Sequence, residues 1–467
     1  MDFLVVLPPV VAVIIAIWKR EVFLSLLSAL FVSELLMLDG LFFNSLLATL
    51  DRITMVFSEA GSTRILLFSL LIGALMGLLR ESGGVNAFVR WVTEKGMANS
   101  PRQVGLLPTF TGLVVFIETN MSILTAGIVS QRLFDKFRIS RARLAYIIDS
   151  TCAPVSVIIL LNAWGAYILG LLEGYELKDA TAVMLSTIPL NFYAILTIIL
   201  VFYTVLSNRT HGRLRRFEEE LHDAHAELTE SEKELKAEIE QQQKYPATKV
   251  RYMLVPLFVL VAGMLFFMYY TGGGDIMAGS GSKSVLYATC FALLSCWILY
   301  RAESHFKHGE MIKIAFRGMG KLMPMVMTVL LAFALGASLK ALGTGAYIAS
   351  FLSESIPVYL LASLIFLCAS FIAFTTGTSW GTFGIVIPIA MPLSAVTGLP
   401  PELLVSAVIG GGVFGDHCSP ISDTTIISSL GAGVDHFDHV ATQLPYALVA
   451  GLATTLIYIP VSMAMAS

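Results

Sequence analysis

DSTCAPVS, from Asp149 to Ser156, and GDHCSPIS, from Gly415 to Ser422, read as two near copies of one polar interruption set inside apolar sequence. Cys152 aligns with Cys418, Pro154 with Pro420 and Ser156 with Ser422. Upstream of each lies a second matched pair, ETNMSILTAGIV from Glu118 and TTGTSWGTFGIV from Thr375, in register at Thr119/Thr376, Ser122/Ser379, Thr125/Thr382 and the shared Gly-Ile-Val. The chain therefore reads as an internal duplication in which each half carries two polar breaks. In a lipid-embedded protein, broken helices near the midplane at a repeat interface are where ions and solutes bind. The pattern predicts a secondary transporter.

Composition supports the lipid setting. Of 467 residues, 56% are hydrophobic and 13% charged, with a mean hydropathy of +0.78; a soluble domain carries roughly 25% charged residues. Apolar runs long enough to cross a hydrocarbon core of about 30 Å recur throughout, and they are continuous rather than alternating, which argues against a barrel. A net charge of −3 points neither to nucleic acid nor to an acidic substrate. The five cysteines, Cys152, Cys290, Cys296, Cys368 and Cys418, are odd in number and lack metal-ligand spacing, so free thiols are expected. With no Walker loop, metal motif or nucleophile elbow, neither an enzyme nor a cofactor is expected. The opening MDFLVVLPPVVAVIIAIWKR has no basic residue before its apolar run and reads as a retained helix, not a signal peptide.

The expected class is an all-α polytopic membrane protein with two inverted repeats, broken helices and re-entrant hairpins. Spans are expected over Phe3–Trp18, Val22–Leu38, Phe42–Phe57, Ile65–Leu79, Ala142–Leu172, Ala182–Leu206, Tyr252–Tyr270, Val285–Tyr300, Leu322–Leu342, Leu403–Leu430 and Ala441–Met463, the third interrupted by Asp51 and Arg52. Residues 1–60 form N-terminal membrane helices. Residues 61–206 form repeat 1, with a hairpin at 105–134 and a broken helix at 142–172. Residues 207–251 are a charged cytoplasmic linker, and 252–321 comprise linking membrane helices and an interfacial segment. Residues 322–467 form repeat 2, with a hairpin at 358–393 and a broken helix at 403–430. In the linker, Leu214, Leu221, Leu228 and Leu235 recur every seven residues. One upright helix there would rise about 50 Å at 1.5 Å per residue, so a helical hairpin is expected, either as a solvated linker or as a contact in a homodimer.

Lys and Arg placement orients the spans in a plasma (inner) membrane. The loop holding Arg132, Lys136, Arg138, Arg141 and Arg143 is cytoplasmic by this rule, and the counterpart in the second half, AVTGLPPE from Ala395 to Glu402, has no Lys or Arg and is external. Equivalent loops on opposite faces mean inverted repeats.

Asp149 lies within ARLAYIIDSTCAPVSVIILL, and an ionisable group inside a membrane helix is costly and marks function. Pro154 removes an N–H and frees carbonyls expected near Ser150–Thr151. The alternative is an ion pair with Arg143, or a cap. In the second half, Asp416, His417, Ser419, Ser422, Asp423, Thr424 and Thr425 crowd one short run, and each needs a partner, water or an ion. His417 reads either as a proton carrier or as a satisfied structural hydrogen bond, and Asp423 either as a ligand or as a cap. Glu118, Thr119, Asn120 and Ser122 mark the first hairpin tip; Thr376, Thr378 and Ser379 mark the second. Gly377, Gly381 and Gly384 also suit close helix packing. His436 and His439 are expected on an interfacial polar loop.

GVFGDHCSPISDTTIISS, preceded by TGTSWGTFGIVIPIAMPL, resembles the signature segments of the NhaC-type sodium/proton antiporter family within the larger ion transporter superfamily, and SRARLAYIIDSTCAPVSV is similar to the stretch around that family's first broken helix. The resemblance implies a cation/proton exchanger with inverted repeats and re-entrant hairpins, often dimeric. Many members carry an Asp pair at the first tip where this chain has Glu118-Thr119, and the family also includes exchangers of organic solutes.

The resulting expectation is antiport of sodium, or a similar monovalent cation, against protons by alternating access. A buried carboxylate holds either a proton or a cation, because either neutralises the charge that a low-dielectric setting penalises. Asp149 and Asp416 are the expected exchanging groups, with Glu118, Asp423 and His417 as further candidates and the hydroxyls of Thr151, Ser156, Thr376, Thr378, Ser379 and Ser422 as ligands. The alternative is a sodium- or proton-coupled transporter of a small amino acid or carboxylate, contacted by Asn162, Trp164 and Trp380. The partners expected are the bilayer and a small ion or solute.

Overall fold

The computed structural model describes residues 2–19, 21–94, 100–114, 119–160, 162–175, 177, 179–220, 248–276, 278–303 and 305–466. Among the described residues the chain is helical without strands, and eight helices are long and apolar enough to cross a membrane. Side chains such as Phe258 and Leu452, exposed by 72% and 65%, form the outward apolar surface that hydrocarbon would cover.

The first helices are α1 (Leu7–Lys19), α2 (Val22–Met37) and α3 (Phe42–Met55). The first two are apolar but short for a crossing of about 20 residues. Asp51 and Arg52 do not break α3; Arg52 instead turns onto buried Glu34 of α2, with Nε 2.7 Å from Oε1.

The first half then runs α4 (Ala60–Glu81), α5 (Gly84–Glu94), α6 (Pro101–Val114), α7 (Thr119–Lys136), α8 (Arg141–Ile158), α9 (Ala163–Glu173), α10 (Ala180–Ser186) and α11 (Phe192–Ser207). The expected span over 182–206 is thus interrupted at residues 187–191, where Pro189 sits in a short 3-10 turn and Asn191 caps α11. Helix α12 (Gly212–Glu220) opens the linker; the expected hairpin beyond it, including Leu221, Leu228 and Leu235, lies outside the described residues.

After α13 (Arg251–Thr271) and α14 (Gly281–Ala302), one helix of 35 residues, α15 (His308–Leu342), replaces the expected interfacial segment and separate span. The boundary drawn at 321/322 falls inside it: Pro324 is accommodated within the helix, and the Lys and Arg side chains of its first turns face outward. There follow α16 (Thr344–Ser355), α17 (Leu361–Thr376), α18 (Ser379–Thr397), α19 (Pro401–Cys418), α20 (Asp423–Ala432) and α21 (His436–Met465). Both α17, with its preceding turn, and α18 have the length and apolarity of spans in their own right.

The two breaks differ in how they form. In the second half the helix stops at the motif: Ser419–Ser422 separate α19 from α20, Pro420 denies the helix a donor, and Ser422 caps α20 by accepting from Thr425 N. In the first half α8 runs straight through Pro154, so the break is not near Ser150–Thr151 but after Ile158, with a bend of 41° to α9. Asn162 accounts for its position. Its Nδ2 donates to the Ser156 and Ile159 carbonyls at the end of α8, and its Oδ1 accepts from Trp164 N and Gly165 N at the start of α9.

The halves interlock at these breaks. Helix α7 packs on α20, and α8 meets both α20 and α21. The α7–α20 approach depends on Gly127, where a Cβ would run into the Gly431 carbonyl. At the second hairpin tip Gly377 has φ +68°, and a Cβ there would lie 2.6 Å from the Ile421 carbonyl oxygen, so the tip sits directly against the α19–α20 break.

Candidate functional site

Asp149 is fully buried in the middle of α8, two turns before its end. Its Oδ1 accepts from Ser428 Oγ at 3.1 Å; its Oδ2 accepts from Gln443 Nε2 at 2.6 Å and Thr425 Oγ1 at 3.3 Å and lies 3.3 Å from His439 Nε2. Every one of these partners comes from the second half, on α20 and α21. The ion pair with Arg143 does not form: that guanidinium, itself buried, turns away to the Thr204 carbonyl, Asn208 Oδ1 and Glu218 Oε1.

Asp416 is buried in the last turn of α19. Its Oδ2 accepts from Ser379 Oγ at 3.1 Å, at the second hairpin tip, and from Thr424 Oγ1 at 3.4 Å. The neighbouring Thr425 hydroxyl lies within reach of both the Asp149 carboxylate and the Asp416 carbonyl, at 3.4 Å from the latter, so one turn of α20 separates the two acids and touches each. Neither acid has a Lys or Arg partner among the described residues; the one ion pair to either is His439 with Asp149.

His417 follows, fully inside, with Nδ1 3.0 Å from Tyr193 OH on α11 and its carbonyl accepting from Gln443 Nε2 at 3.0 Å. The structural bond and the polar cluster therefore coincide in one residue. Asp416 Oδ1, His417 Nε2, His439 Nδ1 and Gln443 Oε1 are buried and have no hydrogen-bond partner among the described residues. Four atoms of this kind on adjoining residues are costly unless something binds them.

The remaining expected residues divide. Ser379 reaches Asp416, and Ser422 joins Thr424 Oγ1 at 3.0 Å while capping α20. Thr119 and Ser156 form a separate pair, their hydroxyls 3.2 Å apart, with Trp164 Nε1 donating to Thr119 at 3.1 Å. Seven residues of α8, or about 10 Å of helix, separate Ser156 from Asp149. Ser122 bonds the Gly112 carbonyl and Cys152 Sγ. Thr151 and Thr376 turn back onto carbonyls of their own helices, and Thr378 caps α18 with its backbone carbonyl accepting from Thr382. Asn120 is half-buried at the start of α7, and Asp423 is exposed in the first turn of α20, where a carboxylate suits the helix dipole. Glu118 lies outside the described residues.

His439 and Gln443 are the residues that sequence reading missed. The polar loop expected around VDHFDHV is instead the start of α21: Asp435 caps it, accepting from Asp438 N, and His436 is buried with Nε2 2.7 Å from the Pro420 carbonyl in the break. The spacing of 436, 439 and 443 places three polar residues on one helical face, which is the signal that was present.

A sequence profile described as the Na+/H+ antiporter family matches residues 155–463, more than half of the chain. An uncharacterized protein of Haemophilus influenzae is 34% identical over 98% of this chain and 90% of its own length. The Malate-2H(+)/Na(+)-lactate antiporter of Bacillus subtilis is 36% identical over 101 residues, 22% of this chain and 21% of its own. Among solved structures, Neisseria gonorrhoeae MtrF, of a class of antimetabolite efflux pumps, aligns with a TM-score of 0.58 over 91% of this chain and 85% of that one; at 16% identity this speaks for the fold alone. With its membrane-length helices and the match over residues 155–463, the chain is a multi-pass secondary antiporter and belongs to the Na+/H+ antiporter family.

Proposed function

We propose that the protein exchanges sodium, or a similar monovalent cation, for protons by alternating access, with Asp149 and Asp416 as the exchanging carboxylates. The observation that carries this reading is the pair of buried acids joined through Thr425 and ringed by hydroxyls, without a Lys or Arg to neutralise either among the described residues. A buried carboxylate so placed favours a proton or a cation at its oxygens, and the two compete. Ser379, Thr424, Thr425 and Ser428 supply the hard oxygen atoms that sodium prefers; His417 and His439 offer ring nitrogens for the proton. In this reading residues 61–206 and 322–467 are inverted repeats, supported by the shared order of long helix, short helix, two-armed hairpin, broken helix and final helix. The linker 207–251 is cytoplasmic, as the placement of Lys and Arg suggests.

Proteoliposome flux tests the reading directly. Sodium, lithium and potassium gradients are imposed while internal pH is followed, on the native chain and on Asp149→Asn and Asp416→Asn. A sodium gradient should move internal pH with the native chain and at least tenfold more slowly with either variant. Equal rates in all three would remove both acids from the exchange.

A second reading, exchange of an organic solute coupled to sodium or protons, is favoured by one observation. The Bacillus subtilis relative is named for malate and lactate as well as for sodium and protons. Thr119, Ser156, Asn162 and Trp164, which cluster apart from the acids, would then face the solute.

A further inference from the structure

Away from the two acids, a cavity of about 510 Å³ opens between the start of α4, the end of α9 and the last turns of α15. Its mouth carries both signs of charge, with Arg52, Arg64 and Lys340 beside Glu59 and Glu173, while Gly170, Ala332, Phe333 and Pro388 make its inner wall apolar. Arg52 is already committed to Glu34, whose Oε1 also accepts from Ser338 Oγ at 2.8 Å. Arg64 and Lys340 are not. Arg64 Nε donates to Ser282 Oγ at 3.3 Å, and Lys340 Nζ donates to the Gly174 carbonyl at 3.3 Å. Among the described residues neither cation has a carboxylate within ion-pair distance, although Arg64 also feels the charge of Glu173 across the mouth, with Ser282 between them. Two cationic groups over an apolar floor suit a small organic carboxylate, which would place its charge at the mouth and its carbon skeleton on Phe333 and Pro388.

The floor leads to the hairpin tips through aromatic rings. Phe333 packs on Tyr167 at 6.2 Å between ring centres; Tyr167 stacks on Trp380 at 5.0 Å and donates to its carbonyl at 3.1 Å; Trp380 packs on Trp164 at 5.4 Å. Trp164 then bonds Thr119, the partner of Ser156. We infer that the cavity is a docking site for a small organic carboxylate, and that Phe333, Tyr167, Trp380 and Trp164 form the closed gate between it and the Thr119/Ser156 hydroxyls. This deepens the organic-solute reading, on which it rests, and does not depend on the sodium/proton one.

The test is thermal melting of the purified full-length protein in sodium-free buffer, titrated with the choline salts of lactate, malate and glutamate, with choline chloride as the control. At least one carboxylate should raise Tm saturably where chloride does not. Arg64→Gln and Lys340→Gln should each weaken that response about tenfold, the loss of one charged hydrogen-bonding partner. Gly336→Leu should abolish it by filling the cavity; a Cβ at Gly336 meets only Pro388 Cγ, at 3.7 Å, so the backbone has room for the change. Variants are compared only if they elute from gel filtration as the native protein does. Chloride-like behaviour of all three carboxylates, or a response that none of the variants alters, overturns the inference. Failure of sodium-driven flux in the native chain would strike the antiport reading alone, since the melts contain no sodium.

Discussion

Gln443 Nε2 donates to Asp149 Oδ2 at 2.6 Å and to the His417 carbonyl at 3.0 Å, so one amide on α21 clamps the acid of the first half to the break of the second. A net hydrogen bond to a charged group is worth about 1.5–3 kcal/mol, and a buried acceptor left without its donor costs a similar amount. Gln443→Leu keeps the volume and removes both bonds. It should lower Tm and slow sodium-driven proton flux by roughly tenfold or more, the equivalent of about 1.4 kcal/mol or more. Native melting and native flux together would show that the clamp contributes nothing.

Thr425 touches both halves of the acid pair, through Asp149 Oδ2 and the Asp416 carbonyl. Thr425→Val is nearly isosteric and deletes only the hydroxyl, whereas Thr425→Ser restores it. The sodium concentration giving half-maximal flux should rise about tenfold in Thr425→Val and return toward native in Thr425→Ser. A purely packing role for Thr425 predicts the opposite ranking, since valine fills the site better than serine.

Much of this centre was legible in the chain itself. Asp149 and Asp416 stand out because an acid within an apolar run must have a partner, and the second break falls at its motif because Ser422 caps the helix that follows Pro420. Other features depend on contacts that local pattern does not encode. Pro154 reads as a helix breaker, yet α8 absorbs it and the break moves to where Asn162 can satisfy both backbone ends. His439 reads as part of a polar loop because polar residues cluster after Gly433, and Gln443 reads only as one position near the start of the last span; both join the site because α21 begins earlier and packs across α8. The small residues of the second tip do pack closely, as expected: a Cβ on Gly384 would crowd Ala332 and Tyr167.

Two glycines give opposite expectations for the same substitution. At Gly127 a Cβ would meet the Gly431 carbonyl, a backbone atom of α20 that cannot swing aside. Gly127→Ala should therefore cost about 1–3 kcal/mol by forcing α7 from α20. At Gly336 the new Cβ has room, and alanine in a helix interior is favoured over glycine by roughly 0.5–1 kcal/mol, so Gly336→Ala should melt at or above the native temperature. Melting curves on the purified variants decide the matter, and a Gly127→Ala protein as stable as Gly336→Ala would show that the α7–α20 approach is looser than the geometry indicates.

Glu303, just past the end of α14, gathers Lys249, Arg251 and Tyr252: the ammonium is in close contact, Arg251 Nη2 lies 2.7 Å from Oε1, and Tyr252 OH donates to Oε2 at 2.9 Å. Lys249 first, then Tyr252 and Arg251, hold its carboxyl down at about 2, below the ordinary glutamate value of 4.5. A depressed acid contributes stability that is fully present above its unfolded value and is lost as pH falls through the folded one. The Tm difference between the native chain and Glu303→Gln should thus be constant from neutral pH down to about 5, then shrink between there and about 2. The difference should be small, because the Lys249 and Arg251 side chains are about half exposed and screened by solvent, and it should narrow further in high salt. Melts of both proteins across that range, at low and high ionic strength, test the sign: a gap that widened on acidification would mean that Glu303 is not held as an anion by its three neighbours.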